Sequence, residues 1–116
     1  MTIVQIIAIL IMIESSGNDN AIGDNGDSYG PLQISEAYLA DANEHAGTNY
    51  THEEMFDRTK AIIVFRAYMD RYATASRLGH EPTISDICRI HNGGPNGWKR
   101  SSTDVYWAKV VTKLNN

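Results

Sequence analysis

The chain lacks the features that would make it a disulfide scaffold, a nucleic-acid binder or a membrane protein. It holds one cysteine, Cys88, among 116 residues, so no intramolecular bridge can form and the fold must stand on packing alone. That suits a protein made in a reducing cytosol. Lysine and arginine are outnumbered by aspartate and glutamate, for a formal charge of -4, and they are scattered. Neither phosphate backbones nor anionic membranes find a footprint here, and no nucleic-acid partner is expected. There is no repeat or low-complexity run. With 42% hydrophobic and 21% charged residues, the composition is that of an ordinary globular protein, expected to be a single domain over 1–116 and a monomer.

The one long apolar run, Ile3 to Ile13, has neither a basic flank nor a small-residue cleavage site, so it does not read as a signal peptide. It also falls short of the roughly 20 residues that cross a bilayer. No integral membrane segment is expected. Broken only by Gln5, the run reads as a helix apolar all round and buried in the centre of the core. With no export signal evident, the protein is expected to be made in the cytoplasm, and one acting outside the cell would need another route out.

The stretch Asn18 to Tyr29 is dense in Gly, Asn and Asp, and Asn25-Gly26 signals a loop or tiny hairpin. A second helix is expected from about Ile34 to His45, stopped by Gly47, and Thr51 with Glu54 has the capping-box pattern of a short third. Asp57 can cap the longest segment, whose apolar spacing through Ile62, Phe65, Met69 and Tyr72 continues to Leu78, with Gly79 placed as a C-terminal cap. Thr83 with Asp86 starts another helix ending at Gly93-Gly94-Pro95, and a last one runs from about Thr103 to Leu114. The fold class is mainly α, a helical core with a small turn-rich or β-hairpin insertion after the first helix.

Glu14 follows the apolar run directly. A carboxyl at the rim of a low-dielectric core has its charged form disfavoured, and glycosidic cleavage needs an acid still protonated near neutral pH. A helix-terminal glutamate pointing to water is the plainer alternative. Asp24 or Asp27, in a polar loop that keeps a carboxylate ionised, supplies the second acid that glycoside hydrolysis requires, although Asp-Asn-Gly is also common turn chemistry. The oxygen-rich run from Asn18 to Asp27 lacks the spacing and closing Glu of a calcium loop, and no His-Glu-x-x-His pattern occurs. No metal or cofactor is expected.

Three segments carry a resemblance: Glu14-Ser15-Ser16-Gly17-Asn18, then Ile22-Gly23-Asp24-Asn25-Gly26-Asp27-Ser28-Tyr29-Gly30-Pro31-Leu32-Gln33-Ile34, then His91-Asn92-Gly93-Gly94-Pro95. In that order they resemble the lysozyme superfamily. The Glu-Ser pair, the Gly-x-x-Gln loop and the Asn-x-Gly segment are similar to goose-type lysozymes and soluble lytic transglycosylases. The last third, through Lys99-Arg100, Ser102-Thr103 and Tyr106-Trp107, is closer to invertebrate-type lysozymes. Small phage endolysins use such single domains too, and that resemblance implies a cytoplasmic protein that reaches the cell wall by phage-type release, through host lysis or a holin.

The resemblance implies a lysozyme-like fold and a muramidase acting on peptidoglycan glycan strands at the β-1,4 bond between N-acetylmuramic acid and N-acetylglucosamine. It makes Glu14 the general acid and Asp24 the better second carboxylate, with Asp27 in reserve. Tyr29, Gly30, Gln33, His91, Asn92 and Gly93 would line the glycan cleft, with Tyr106 near it. Each has a plainer structural reading as turn, cap or core residue. The chain departs from invertebrate-type enzymes in lacking their disulfides, and from transglycosylases in placing His91 where they usually have Tyr. The alternatives are a lytic transglycosylase using Glu14 alone and a silent glycan-binding module.

Overall fold

The computed structural model describes all residues, Met1–Asn116. Helices dominate, as the periodicity requires: α1 (Ile3–Ser15), α2 (Glu36–Ala46), α3 (Arg58–Tyr72), α4 (Ala75–Leu78), α5 (Ile84–Gly93) and α6 (Asp104–Leu114), with short 3₁₀ turns between some of them. The insertion after α1 is a hairpin of two antiparallel strands, β1 (Ile22–Gly23) and β2 (Ser28–Tyr29), with Ile22 opposite Tyr29 and Gly23 opposite Ser28. No helix is long and apolar enough to cross a membrane. The chain divides into two compact units, Ile11–Tyr68 and Met1–Leu10 with Met69–Asn116.

α1 differs from the expected all-round buried helix. Ile6, Ile7, Leu10 and Ile11 are buried, whereas Val4 is 64% and Met12 48% exposed, with Ala8 between them also exposed. A chain of this length has too little structure to wrap one helix on every side, so only one stripe finds partners. Gln5 has a purpose beyond interrupting the run. Its N–H donates to Thr2 Oγ1 at 3.2 Å while its Oε1 accepts from the Thr2 N–H at 2.8 Å, a capping box that starts the helix.

In the Ile11–Tyr68 unit the buried apolar side chains include Leu32, Ile34, Leu39, Met55, Val64 and Phe65. Complete burial of a side chain such as Phe65 or Leu32 contributes about 1.5–3 kcal/mol before entropy is counted. α2 begins two residues later than its apolar pattern suggests. The N–H and carbonyl of Ile34 are both taken by Tyr29, at 3.0 and 3.1 Å, so Ile34 belongs to the hairpin and Ser35 becomes the cap, accepting from the Tyr38 N–H. Thr51 and Glu54 exchange the capping-box bonds expected of them, and Lys60 N–H donates to Asp57 Oδ1 at 3.1 Å at the head of α3.

In the other unit, Leu78, Cys88, Ile90, Tyr106 and Val110 are buried. The segment expected to be one helix to Leu78 stops at Tyr72 and restarts at Ala75. Thr74 takes extended φ/ψ and its side chain accepts from the Arg77 N–H, so a local cap outcompetes helical continuity. Gly79 then ends α4 in a left-handed conformation. Thr83 and Asp86 form the complete capping box of α5, and His80 Nε2 lies 2.7 Å from the same Asp86 oxygen.

Burial pushes the Asp86 carboxyl up, but the bonds from the Thr83 N–H, His80 and the Thr83 hydroxyl outweigh it and hold the group below the ordinary aspartate range. A depressed folded-state value means stability that is present above the unfolded value and lost as pH falls through the folded one. Asp86→Asn should therefore cost about 1–2 kcal/mol at pH 7, and the deficit should narrow below roughly pH 4, as urea denaturation at both pH values will measure.

Cys88 is fully buried, and burial alone pushes its thiol up to about 12. With no bridge to break, the melting temperature should be unchanged by reducing agent. A large fall on adding reductant would require a bridge between two molecules.

Candidate active site

The Ile11–Tyr68 unit holds Glu14 on α1 and Asp24, Asp27, Tyr29, Gly30 and Gln33 on the hairpin and its return, while His91, Asn92, Gly93 and Tyr106 lie in the other unit. α1 delivers Glu14 in its last turn, half-buried. The next residue ties the helix end to the return of the hairpin, for Ser15 Oγ lies 2.9 Å from the Pro31 carbonyl and 3.0 Å from that of Ile11. The chain then leaves through Ser16 and Gly17, both with positive φ. Arg58 pins this exit by donating to the Gly17 carbonyl at 2.8 Å and to Asp19 at 2.7 Å.

Glu14 has aromatic company that the sequence pattern did not reveal. The Tyr38 and Tyr68 rings stack with centroids 3.7 Å apart. Burial first, then the Tyr68 phenol, then the negative charge of Glu14 push the Tyr38 hydroxyl well above the ordinary tyrosine range. Tyr38 thus stays neutral across the physiological pH range. The only advance sign was a tyrosine on the apolar face of α2.

Asp24 lies in the opposite kind of place. It is exposed, in the four-residue connection between β1 and β2, with φ +50°. Asn25 (φ +56°) and Gly26 (φ +94°) follow in the same left-handed region, which Asp and Asn tolerate better than other side chains. Ser28, buried at 3% exposure, donates from Oγ to Asp24 Oδ2 at 2.6 Å. Asp27 is exposed and its N–H closes the turn onto the Asp24 carbonyl at 3.2 Å.

The remaining hairpin residues brace this arrangement. Gln33 Nε2 donates to the carbonyls of Ala21 and Gly30 at 3.1 and 3.0 Å, so its amide spans the two sides of the loop. Tyr29 stacks on His52 at 3.7 Å and on Phe56 at 4.6 Å between centroids. His52 Nε2 in turn donates to the Ile34 carbonyl at 2.8 Å. At Gly30 a Cβ would come within 1.9 Å of the Met55 carbonyl oxygen, and φ is +84°, so no other residue fits there.

His91, Asn92 and Gly93 form the last turn of α5 in the other unit. His91 and Tyr106 are buried, with 7% and 8% exposure, while Asn92 and Gly93 are exposed. Thr103 organises this end: its hydroxyl bonds the Gly97 carbonyl at 2.7 Å and accepts from Arg89 Nε, and its methyl leaves no room for a side chain at Gly93. Arg77 donates to the Pro95 carbonyl and to Asn96 Oδ1, fixing the turn that follows Gly93.

The fold so built is that of solved bivalve lysozymes. The Tapes japonica lysozyme superposes with a TM-score of 0.76 at 27% identity, covering 91% of this chain and 85% of that one. Meretrix lusoria lysozyme, solved in complex with Aeromonas hydrophila PliI, gives 0.76 at 30% identity with the same coverage. The chain belongs to the Destabilase family, whose model matches residues 5–113, and thereby to the invertebrate-type branch of the lysozyme superfamily.

Among curated relatives, Lysozyme 1 of Crassostrea virginica is 36% identical over 86 residues, 74% of this chain and 45% of that protein. The lysozyme of Magallana gigas is 41% identical over 83 residues, 72% of this chain and 58% of that protein. The chain thus spans about half the length of these relatives. The relatives overturn the expectation of a cytoplasmic protein with phage-type release, since lysozymes of bivalves point to an extracellular, secreted protein. The expectation rested on the first residues of a chain that matches only part of its relatives, where a missing export signal carries no weight.

Proposed function

We propose that the protein is a muramidase that hydrolyses the β-1,4 bond between N-acetylmuramic acid and N-acetylglucosamine in peptidoglycan. The observation that carries this is the contrast between two carboxylates of one compact unit: Glu14, half-buried beside the Tyr38 phenol, and Asp24, exposed on the hairpin and held by Ser28. Glycoside hydrolysis divides its work between two such acids. Glu14 protonates the departing glycosidic oxygen, and Asp24 steadies the oxocarbenium-like centre or activates the incoming water. Tyr29, Gly30 and Gln33, in the same unit as the two carboxylates, line or support the glycan-binding surface there. Membership of the Destabilase family and the lysozyme relatives support the reading.

Clearance of bacterial walls by the purified protein, with mass spectrometry of the fragments, tests it. Reducing ends are expected, whereas 1,6-anhydro-muramyl ends would identify a transglycosylase and the absence of clearance a glycan-binding module. Glu14→Gln should fold normally and lose roughly 10²–10⁴ in kcat, because the amide fills the same space and donates no acidic proton. Near wild-type clearance by the folded variant would sink the mechanism.

The two loop aspartates separate by their surroundings. Asp24→Asn should lower kcat on the order of 10²-fold with little change in KM, since the charge matters as the transition state turns cationic. Asp27→Asn should be mild. Equal and small losses on purified peptidoglycan would leave Glu14 as the sole catalytic carboxylate.

A further inference from the structure

Ser28 is the one hydroxyl in the hairpin that the proposed chemistry leaves without a role, and its surroundings are unusual. It is 3% exposed, it faces Gly23 across the ladder, and a buried hydroxyl of this kind needs a partner. The partner is not a neighbouring carbonyl. It is Asp24 Oδ2, at 2.6 Å, on the residue directly after Gly23. That is a short O–H···O bond with the hydroxyl donating.

The bond fixes what the backbone alone leaves loose. Asp24 is exposed and sits on a run of three left-handed residues, a conformation in which the carboxylate is free to turn about its side-chain torsions unless something stops it. Ser28 engages one oxygen from the buried side, so Oδ1 is the oxygen presented outward. Ser28 is in turn rooted by the ladder and by the braces next to it: Tyr29 exchanges backbone bonds with Ile34, and Gly30 N–H donates to the Ala21 carbonyl at 2.8 Å.

We infer that Ser28 is a positioning residue for the proposed hydrolysis, a buried donor that holds the Asp24 carboxylate in one orientation with Oδ1 turned to the sugar. The inference rests on the assignment of Asp24 as the second carboxylate. Preorganisation of a charge that acts mainly in the transition state shows in kcat and leaves ground-state binding alone.

The test is a cycle of variants, Ser28→Ala, Ser28→Thr, Asp24→Asn and the double variant Asp24→Asn with Ser28→Ala, each assayed for kcat and KM on a soluble peptidoglycan oligomer and for thermal unfolding. Ser28→Ala should lose on the order of tenfold in kcat with KM within about twofold. Ser28→Thr, which restores the hydroxyl, should recover most of the loss. In the Asp24→Asn background removal of the hydroxyl should cost nothing further, because the two residues act as one unit. Should Ser28→Ala fail to fold, Ser28→Cys keeps the volume and replaces a strong donor by a weak one, and it is expected to show the same loss. Wild-type kcat in Ser28→Ala or Ser28→Cys, or losses that simply multiply in the double variant, would overturn the role of Ser28 while Asp24 stands. Wild-type kcat in Asp24→Asn would remove Asp24 itself.

Discussion

The close approach of backbone to backbone at Gly30 is the constraint on which the hairpin unit depends. Its N–H is bonded to Ala21, its carbonyl accepts from Gln33, and its α-carbon leaves no space before the Met55 carbonyl. The two arms of the hairpin and the turn at Met55 are thereby brought to one point. Everything that presents Asp24 hangs from that point: the Tyr29–Ile34 pair, the Gln33 amide spanning the loop, and the Tyr29–His52–Phe56 stack. A loop rich in Gly, Asn and Asp has a high conformational entropy when unfolded. Here local bonds and one steric keyhole, rather than a large apolar area, hold it in place.

Around this rigid turn the two carboxylates are set apart by simple means. Glu14 is carried by a helix whose buried stripe is made of aliphatic side chains, and its end is stapled to the hairpin by Ser15. Asp24 is carried by a strained exposed loop and fixed by a single hydroxyl. Helix and loop leave one carboxyl half-buried and the other exposed, the division of environments that the proposed acid and charge-stabilising roles call for. The helix end contributes in another way: Arg58 closes the exit after Gly17, so the path from Glu14 to the hairpin has little slack.

Much of this was legible in the residues because it is local. Turn chemistry at Asn25-Gly26, stops at Gly47 and Gly79, and the Thr83–Asp86 box each depend on a few neighbours, and the elements appear where those signals stand. What was not legible depended on competition or on contacts across the chain. The Thr2–Gln5 box was hidden because Gln5 read as a flaw in an apolar run. Ile34 looked helical until the hairpin claimed both of its backbone groups. The break after Tyr72 came from a threonine cap that periodicity does not register. At the candidate site the acids stood out by type and place, while Ser28 and the Tyr38–Tyr68 pair acquire meaning only through neighbours that the fold supplies.

The buried cysteine has a consequence for where such a domain can persist once folded. Cys88 is fully buried and burial pushes its thiol up to about 12, so the folded domain carries almost no thiolate near neutral pH, and the thiolate is the species that exchanges with disulfides. Once folded, the domain is therefore almost inert toward glutathione, oxidoreductases and the free cysteines of other chains. For the folded domain an oxidising surrounding and a reducing one are therefore alike, because the one sulfur that could tell them apart is out of reach.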